Sequence, residues 1–509
     1  MKIEPSSNSI FLYFRFLAGR RVSSLAFLWL WSLAVGRAAA ATLTWTGASS
    51  VYWTNSANWS PPQVPTIADT AVINSGNVTM ASNSVFSVLS FNGGNISGPV
   101  VVGTNSVMNW SGGRLAEGSS LTVLSNGLVN LAGSAEKDLG GPMTNFGRVV
   151  LSGSGFYLLD NNNTWQGSVT NLGAWEIQGD FSIANYFGNL ATVFGNGGTL
   201  RKTTGSGVGV VGVVLTNGAS GTVQVDAGTL RFDDGGRLDG TFVAGAGTVV
   251  AFNGGTFTYV PPNRFTGSGQ YQLTGGTLQG LDDYLANLQL VGGTVYLSPS
   301  YQTNGWIVRL DLNGATLAGA NAVSGVLNFN SGYIAGPVTV RSNGVFNWNA
   351  GRLAQGSSLT VQSNGLVNLG SGGEKDLGGP MSNYGRVVWT GGSFYVMNDN
   401  NTWLGTVVNL GVWEMQGDLG LYQWFGNDFG TFANGGRFLK TAGTGIGVIN
   451  LPFLNASGIL DVLTGTLRFD HGQQLDGSYV AEGGGVIQFN GGTFICTPST
   501  WLTGAGLFQ

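Results

Sequence analysis

The residue types needed for acid–base or metal chemistry cluster in "RFDDGGRLDG", Arg231 to Gly240. Adjacent carboxylates at Asp233 and Asp234 could act as acid and base or hold calcium. The chain repeats the stretch as "RFDHGQQLDG", Arg468 to Gly477, where Asp234 has become His471 and Arg237 has become Gln474. A carboxylate and an imidazole cannot exchange and still perform the same step. Asp233, Asp234, Asp470 and His471 are therefore weak catalytic candidates, and the expectation is an Asp-Gly turn carrying a surface Arg–Asp pair. Asp282 and Asp283 in "LDDYL" could share a metal, but no further ligands flank them, so a solvated turn is expected. One His and one Cys cannot supply the usual ligands of catalytic zinc. Calcium nonapeptides, an EF-hand loop and a Gly-x-Ser-x-Gly elbow to recruit His471 are all missing from the sequence. No metal and no cofactor is predicted.

Binding chemistry has better candidates. Trp165 and Trp403 each end an Asn-rich turn, "DNNNTW" and "NDNNTW". Flat rings beside polar neighbours can stack on sugars, so these two are the candidate carbohydrate-binding residues. Trp175 and Trp413, beside Glu176 and Glu414, sit at strand spacing, where about half of such rings face a core. A third recurring cluster is Glu136-Lys137-Asp138, which returns at Glu374 to Asp376, 374 − 136 = 238 residues later. It precedes "LGGP" and a strand beginning at Arg148 or Arg386. The reading is an exposed loop between coils, paired with those arginines and inherited as scaffold.

The elements that must carry these residues repeat as well. "VLSFNGGNISGPVVV" at Val88 returns as "VLNFNSGYIAGPVTV" at Val326, and "GRLAEGSSLTV" at Gly113 returns as "GRLAQGSSLTV" at Gly351. The duplicated copies run from Val88 to Gln272 and from Val326 to Gln509. Inside the first copy, Asn recurs at 105, 126, 145, 171 and 217, in steps of 21, 19, 26 and 46, and the second copy repeats the series from Asn343 to Asn455. Such periods, with short apolar runs between Gly and Asn turns, mark a solenoid with one repeat per turn. In "GTVQVDAGTLRF" the residues Val223, Val225, Leu230 and Phe232 alternate with Gln224, Asp226 and Arg231, so the first set should point inward. Asn suits the turns because its amide bonds locally and tolerates left-handed backbone angles. The fold class predicted is all-β: a single-stranded parallel β-helix of roughly twenty coils, about 19–26 residues each, near 100 Å long at the usual strand spacing.

Composition agrees. The 86 Gly accompany 42% apolar residues, too many for a disordered chain, and only 9% of residues are charged. A formal net charge of −4, without a Lys/Arg run after the leader, argues against nucleic acid as a partner. Arg15, Arg20 and Arg21 precede the apolar run "VSSLAFLWLWSLAVG", and Ala38 and Ala40 provide small residues at a cleavage site, so residues 1–40 read as an export signal. No other stretch is long and apolar enough to span a membrane as a helix. Cys496 is the sole cysteine, which leaves stability to packing and backbone pairing.

The stretch "LTWTGASSVYWTNSANWSPPQVPTIADTAVI", Leu43 to Ile73, followed by Gly/Asn-rich repeats, resembles the large secreted β-helix proteins of Gram-negative bacteria. These include autotransporter passengers and adhesins with autotransporter-associated β-strand repeats. The resemblance implies an exported protein, extracellular or on the outer cell surface, with the periplasm as the alternative compartment. It also implies an adhesive or structural role, with an extracellular polysaccharide or a host or neighbour surface as partner. Parallel β-helices also include pectin-degrading lyases and hydrolases, but their full set of acidic, His and Arg/Lys elements is not found here. The expectation is thus a non-enzymatic stalk, adhesin or envelope-associated protein, with a polysaccharide-binding or polysaccharide-degrading protein as the alternative. The predicted division is 1–40 signal, 41–87 cap and first coils, 88–272 first copy, 273–325 connecting coils and 326–509 second copy. Trp45, Trp53 and Trp59 should cover the first coil, with Pro61, Pro62 and Pro65 blocking edge pairing. Because Gln509 aligns with Gln272, in mid-coil, the reading frame is expected to continue into further coils and an anchoring module.

Overall fold

A computed structural model describes residues 39–161, 164–186, 192–262, 264–370, 372–399, 402–424 and 430–509. The expected export segment lies, up to residue 38, outside the described residues. Ala40–Gln509 forms one compact unit. It is a parallel β-solenoid of about 20 turns, with coils of about 21 residues. Among the described residues the only helical elements are two short 3₁₀ turns, Ser56–Asn58 and Tyr301–Thr303. No helix there is long and apolar enough to cross a membrane.

One coil illustrates the plan. Leu128–Leu131 lies on a first sheet, Lys137–Leu139 on a second, Pro142–Asn145 on a third, and Arg148–Leu151 returns to the first. Along the first sheet, Val107, Leu128, Arg148, Ala174, Thr199, Thr222 and Thr241 are successive parallel Cα partners. The strands are short because each must bend out at a corner after two inward side chains. The alternation is visible in Ser120–Val123, where Leu121 and Val123 are buried and Ser120 and Thr122 are half-buried. Val223, Val225, Leu230 and Phe232 are all in the core, as the alternation predicts. From Trp306 onward, strands such as Trp306–Ala318 and Asn321–Ala335 run round the corners through register shifts and join the faces.

The core contains a continuous aromatic spine. In the first copy Phe91, Trp110, Phe156, Trp175 and Phe194 follow one another with ring centroids 5.1–6.0 Å apart. Their counterparts Phe329, Trp348, Phe394, Trp413 and Phe432 repeat the run at 5.0–6.3 Å. Trp175 and Trp413 are thus core residues, while their neighbours Glu176 and Glu414 face outward to Arg148 and Arg386. At the N-terminal end Trp45 and Trp59 lie on an antiparallel strand pair, and the Trp59 ring packs edge-on against both Trp45, at 5.1 Å, and Trp53, at 4.7 Å. All three rings are buried, which is the expected cap.

Two expectations need correction. The recurrent Asn residues do not share one role. Asn105, Asn126, Asn343 and Asn364 occupy left-handed turns, with φ between 61° and 65°. Asn145, Asn171 and Asn217 are instead fully buried at the end of third-sheet strands, and Asn196, outside the sequence series, completes their row. Each amide Nδ2 donates to the Oδ1 of the next Asn at 2.7–2.8 Å, which makes an internal ladder from coil to coil. Asn383, Asn409, Asn434 and Asn455 rebuild it in the second copy. The second correction concerns Glu136-Lys137-Asp138. Lys137 and Asp138 are in a strand and not in a loop, and only Glu136 is exposed. Arg148 binds Glu176 on the next coil, while Asp138 is held by Arg114.

Candidate functional site

Alternation along the short strand Lys137–Leu139 sends neighbouring charges to opposite sides of the wall. Lys137 points into the solenoid, where its Nζ donates to the carbonyls of Ala135 at 2.7 Å and Ser154 at 2.8 Å. Lys375 does the same with Gly373 at 2.7 Å and Gly391 at 2.8 Å. Each ammonium ties two successive corners together, and burial pushes both lysines below their ordinary value, Lys375 to about 8. This half of the recurring cluster is scaffold.

Asp138, one residue on, faces the outer side of the second sheet. Arg114 on the preceding coil donates from Nε at 2.9 Å and Nη2 at 2.7 Å to its Oδ2. The guanidinium in turn lies 5.3 Å from the ring centroid of Trp165. The second copy repeats the set: Arg352 donates to Asp376 Oδ2 at 3.1 and 2.9 Å and lies 5.7 Å from the Trp403 centroid. Cation–π contact and ion pairing therefore hold one arginine between a carboxylate and an indole. The other carboxylate oxygen, Oδ1 of Asp138 and of Asp376, is buried and accepts no hydrogen bond from a described residue. Such an unpaired acceptor costs stability, and the duplication carries it into both copies.

The tryptophans reach this place on a built excursion. Asn161 Oδ1 accepts the backbone N–H groups of Thr164 and Trp165 at 2.9 Å, and Asp399 Oδ1 accepts those of Thr402 and Trp403 at 2.7 and 2.8 Å. The chain then returns through the antiparallel bridges Asp160 to Gln166 and Asn398 to Leu404. Each ring comes to rest over a glycine. A Cβ at Gly140 would run into Trp165 and the Leu115 carbonyl, and one at Gly378 into Trp403 and the Leu353 carbonyl. Trp165 and Trp403 are half-buried in consequence. Beside Trp165 lies a shallow depression of about 350 Å³, lined by Asn77, Asn95, Ser97, Arg114 and Glu117. Amides, a hydroxyl, an ion pair and an aromatic edge make a surface suited to hydroxyl-rich ligands.

The weak catalytic candidates lie elsewhere along the coils. Arg231 clamps Asp233 through two bonds of 2.7 Å, and Arg468 clamps Asp470 through two of 2.8 Å. Arg468 holds the Asp470 carboxyl below the usual range, so near neutral pH it has no proton to donate. Burial pushes Asp234 upward, and both Asp234 and its counterpart His471 are half-buried. Asp282 is not the fully solvated turn residue expected: burial raises its carboxyl and helps push the neighbouring Tyr259 up to about 12. Among the described residues no three His, Cys, Asp or Glu side chains converge in a metal-binding group.

Sequence reasoning named Trp165 and Trp403 but missed Arg114, Arg352, Asp138 and Asp376 as their partners. Those partners come from strands 24 residues apart in each copy, and only the coil register brings them together. A signal was present, since all six residues recur at the 238-residue offset. No family model and no curated protein matches this chain. The likeness to autotransporter passengers and adhesins therefore rests on the β-solenoid pattern.

Proposed function

We propose that this chain is an exported, non-enzymatic β-solenoid of the stalk or adhesin kind, which holds extracellular polysaccharide on the outer face of its second sheet. The observation that carries the reading is the Trp–Arg–Asp set built twice, with each ring seated on a glycine and each arginine fixed by a carboxylate. Rigid placement of an aromatic edge beside polar groups favours binding of sugars, whose C–H faces stack on rings and whose hydroxyls need acceptors. The clamping of Asp233 and Asp470 by arginine speaks against acid–base catalysis at those residues. Export rests on the leader sequence and on the Cys-poor composition.

The test is a panel of neutral and acidic polysaccharides scored for both retention and cleavage. The expected result is retention without turnover, weakened at least tenfold in the Trp165→Ala/Trp403→Ala double variant. Turnover that disappears with Asp233→Ala or Asp470→Ala would contradict the non-enzymatic assignment.

A further inference from the structure

The two patches have diverged, and the differences fall in one line. Across the second sheet of the first copy, Asn95, Arg114, Asp138, Tyr157 and Ala184 are successive Cα partners on five coils. The corresponding line in the second copy is Tyr333, Arg352, Asp376, Tyr395 and Tyr422. Asn95 has become Tyr333, and Ala184 has become Tyr422. Beside the line, Tyr186 has become Trp424. All three changes add aromatic surface, and all three lie on the outside of the same face. Tyr333 is 48% exposed and Trp424 45% exposed. Tyr395 sits between Tyr422, at 5.7 Å between centroids, and Trp424, which meets it edge-on at 4.7 Å. With Trp403 lying over Arg352, an aromatic strip runs past five coils, interrupted by an ion pair that cancels its own charge.

We infer that this strip binds a neutral, linear, β-linked glycan lying along the direction in which the coils stack. The inference rests on the glycan reading of the Trp403 patch and deepens it. Successive coils are about 4.8 Å apart, which is close to the length of one pyranose unit in an extended chain. Tyr395 and Tyr422 stand on successive coils, Trp403 lies over Arg352 and Tyr333 is one coil beyond Arg352, so a longer chain reaches rings that a short one cannot and binding should strengthen with chain length. A β-linked ribbon presents flat C–H faces all along, whereas a coiled α-linked chain does not. The strip carries no excess charge to attract a polyanion, because Arg352 and Asp376 neutralise each other. The first copy, with Asn95 and Ala184 in the same places, should grip a short segment at Trp165 and gain little from further units.

The duplication supplies the variant that tests this without disturbing the fold: Tyr333→Asn/Tyr422→Ala/Trp424→Tyr rewrites the second strip as the first. The full-length protein is titrated with cello-oligosaccharides from the disaccharide to the hexasaccharide, with oligogalacturonates as the anionic comparison. Wild-type protein should bind the hexasaccharide at least tenfold more tightly than the disaccharide and prefer both to the galacturonates. The triple variant should lose that length dependence while melting at an unchanged temperature. Trp165→Ala should keep it. If the triple variant retains the full length dependence while Trp165→Ala/Trp403→Ala abolishes binding, the strip is wrong and the glycan reading stands. If the wild type binds none of the oligosaccharides or polysaccharides, both fall. Self-association of the wild type that the triple change abolishes would assign the strip to a second copy of the chain and overturn the proposal.

Discussion

Lys375 shows how far residue type alone can mislead. A Glu-Lys-Asp run reads as exposed, because isolated charges are rarely fully buried, yet here the strand period of two puts the lysine inside and the aspartate outside. Burial pushes the Lys375 ammonium from the ordinary lysine value of 10.5 down to about 8. Between those limits the unfolded chain therefore binds more protons than the folded chain, and stability rises with pH. Denaturant melts of wild type and Lys375→Met at the two ends of this window should show the wild type gaining about 2–3 kcal/mol relative to the variant. A constant gap would mean that Lys375 titrates normally in the fold. Burial lowers Lys137 in the same direction.

At the scale of the element, the corners decide whether a coil can stack. Short alternating strands, the period near 21 residues and the 238-residue duplication were all legible, because each is a pattern along the chain. The two classes of Asn were not, since one lies at a left-handed corner and the other ends a strand, and the neighbouring residue types are alike. The buried class stitches the third sheet together. Asn171 accepts from Asn145 at 2.7 Å and donates to Asn196 at 2.8 Å and to the Thr199 carbonyl at 3.0 Å. Asn171→Ala leaves several buried polar groups unmatched, so a loss of about 2–4 kcal/mol is expected in equilibrium unfolding. Asn130→Ala, which removes an outward, half-buried Asn–Asn bond, should cost under about 1 kcal/mol. Equal costs for the two variants would refute the ladder's structural role.

The whole molecule is a scaffold that copies whatever its coils carry. Duplication of about 185 residues reproduced the aromatic spine, the Asn ladder, the buried lysines and the Trp–Arg–Asp set together, and the differences that give the second copy more aromatic surface on its second sheet leave that framework intact. The candidate site was only half legible for a physical reason. The sequence displays Trp165 and Trp403 as single residues, but the line through Tyr333, Arg352, Asp376, Tyr395 and Tyr422 crosses coils of unequal length and becomes visible only once register is fixed. On the reading proposed above, the duplicated outer face holds glycan at two unequal places. Calorimetric titration of the full chain with cellohexaose tests it most directly. Two sites per chain of different affinity are predicted, with Trp403→Ala removing the tighter and Trp165→Ala the weaker; a single site untouched by either change, or no heat of binding at all, would contradict it.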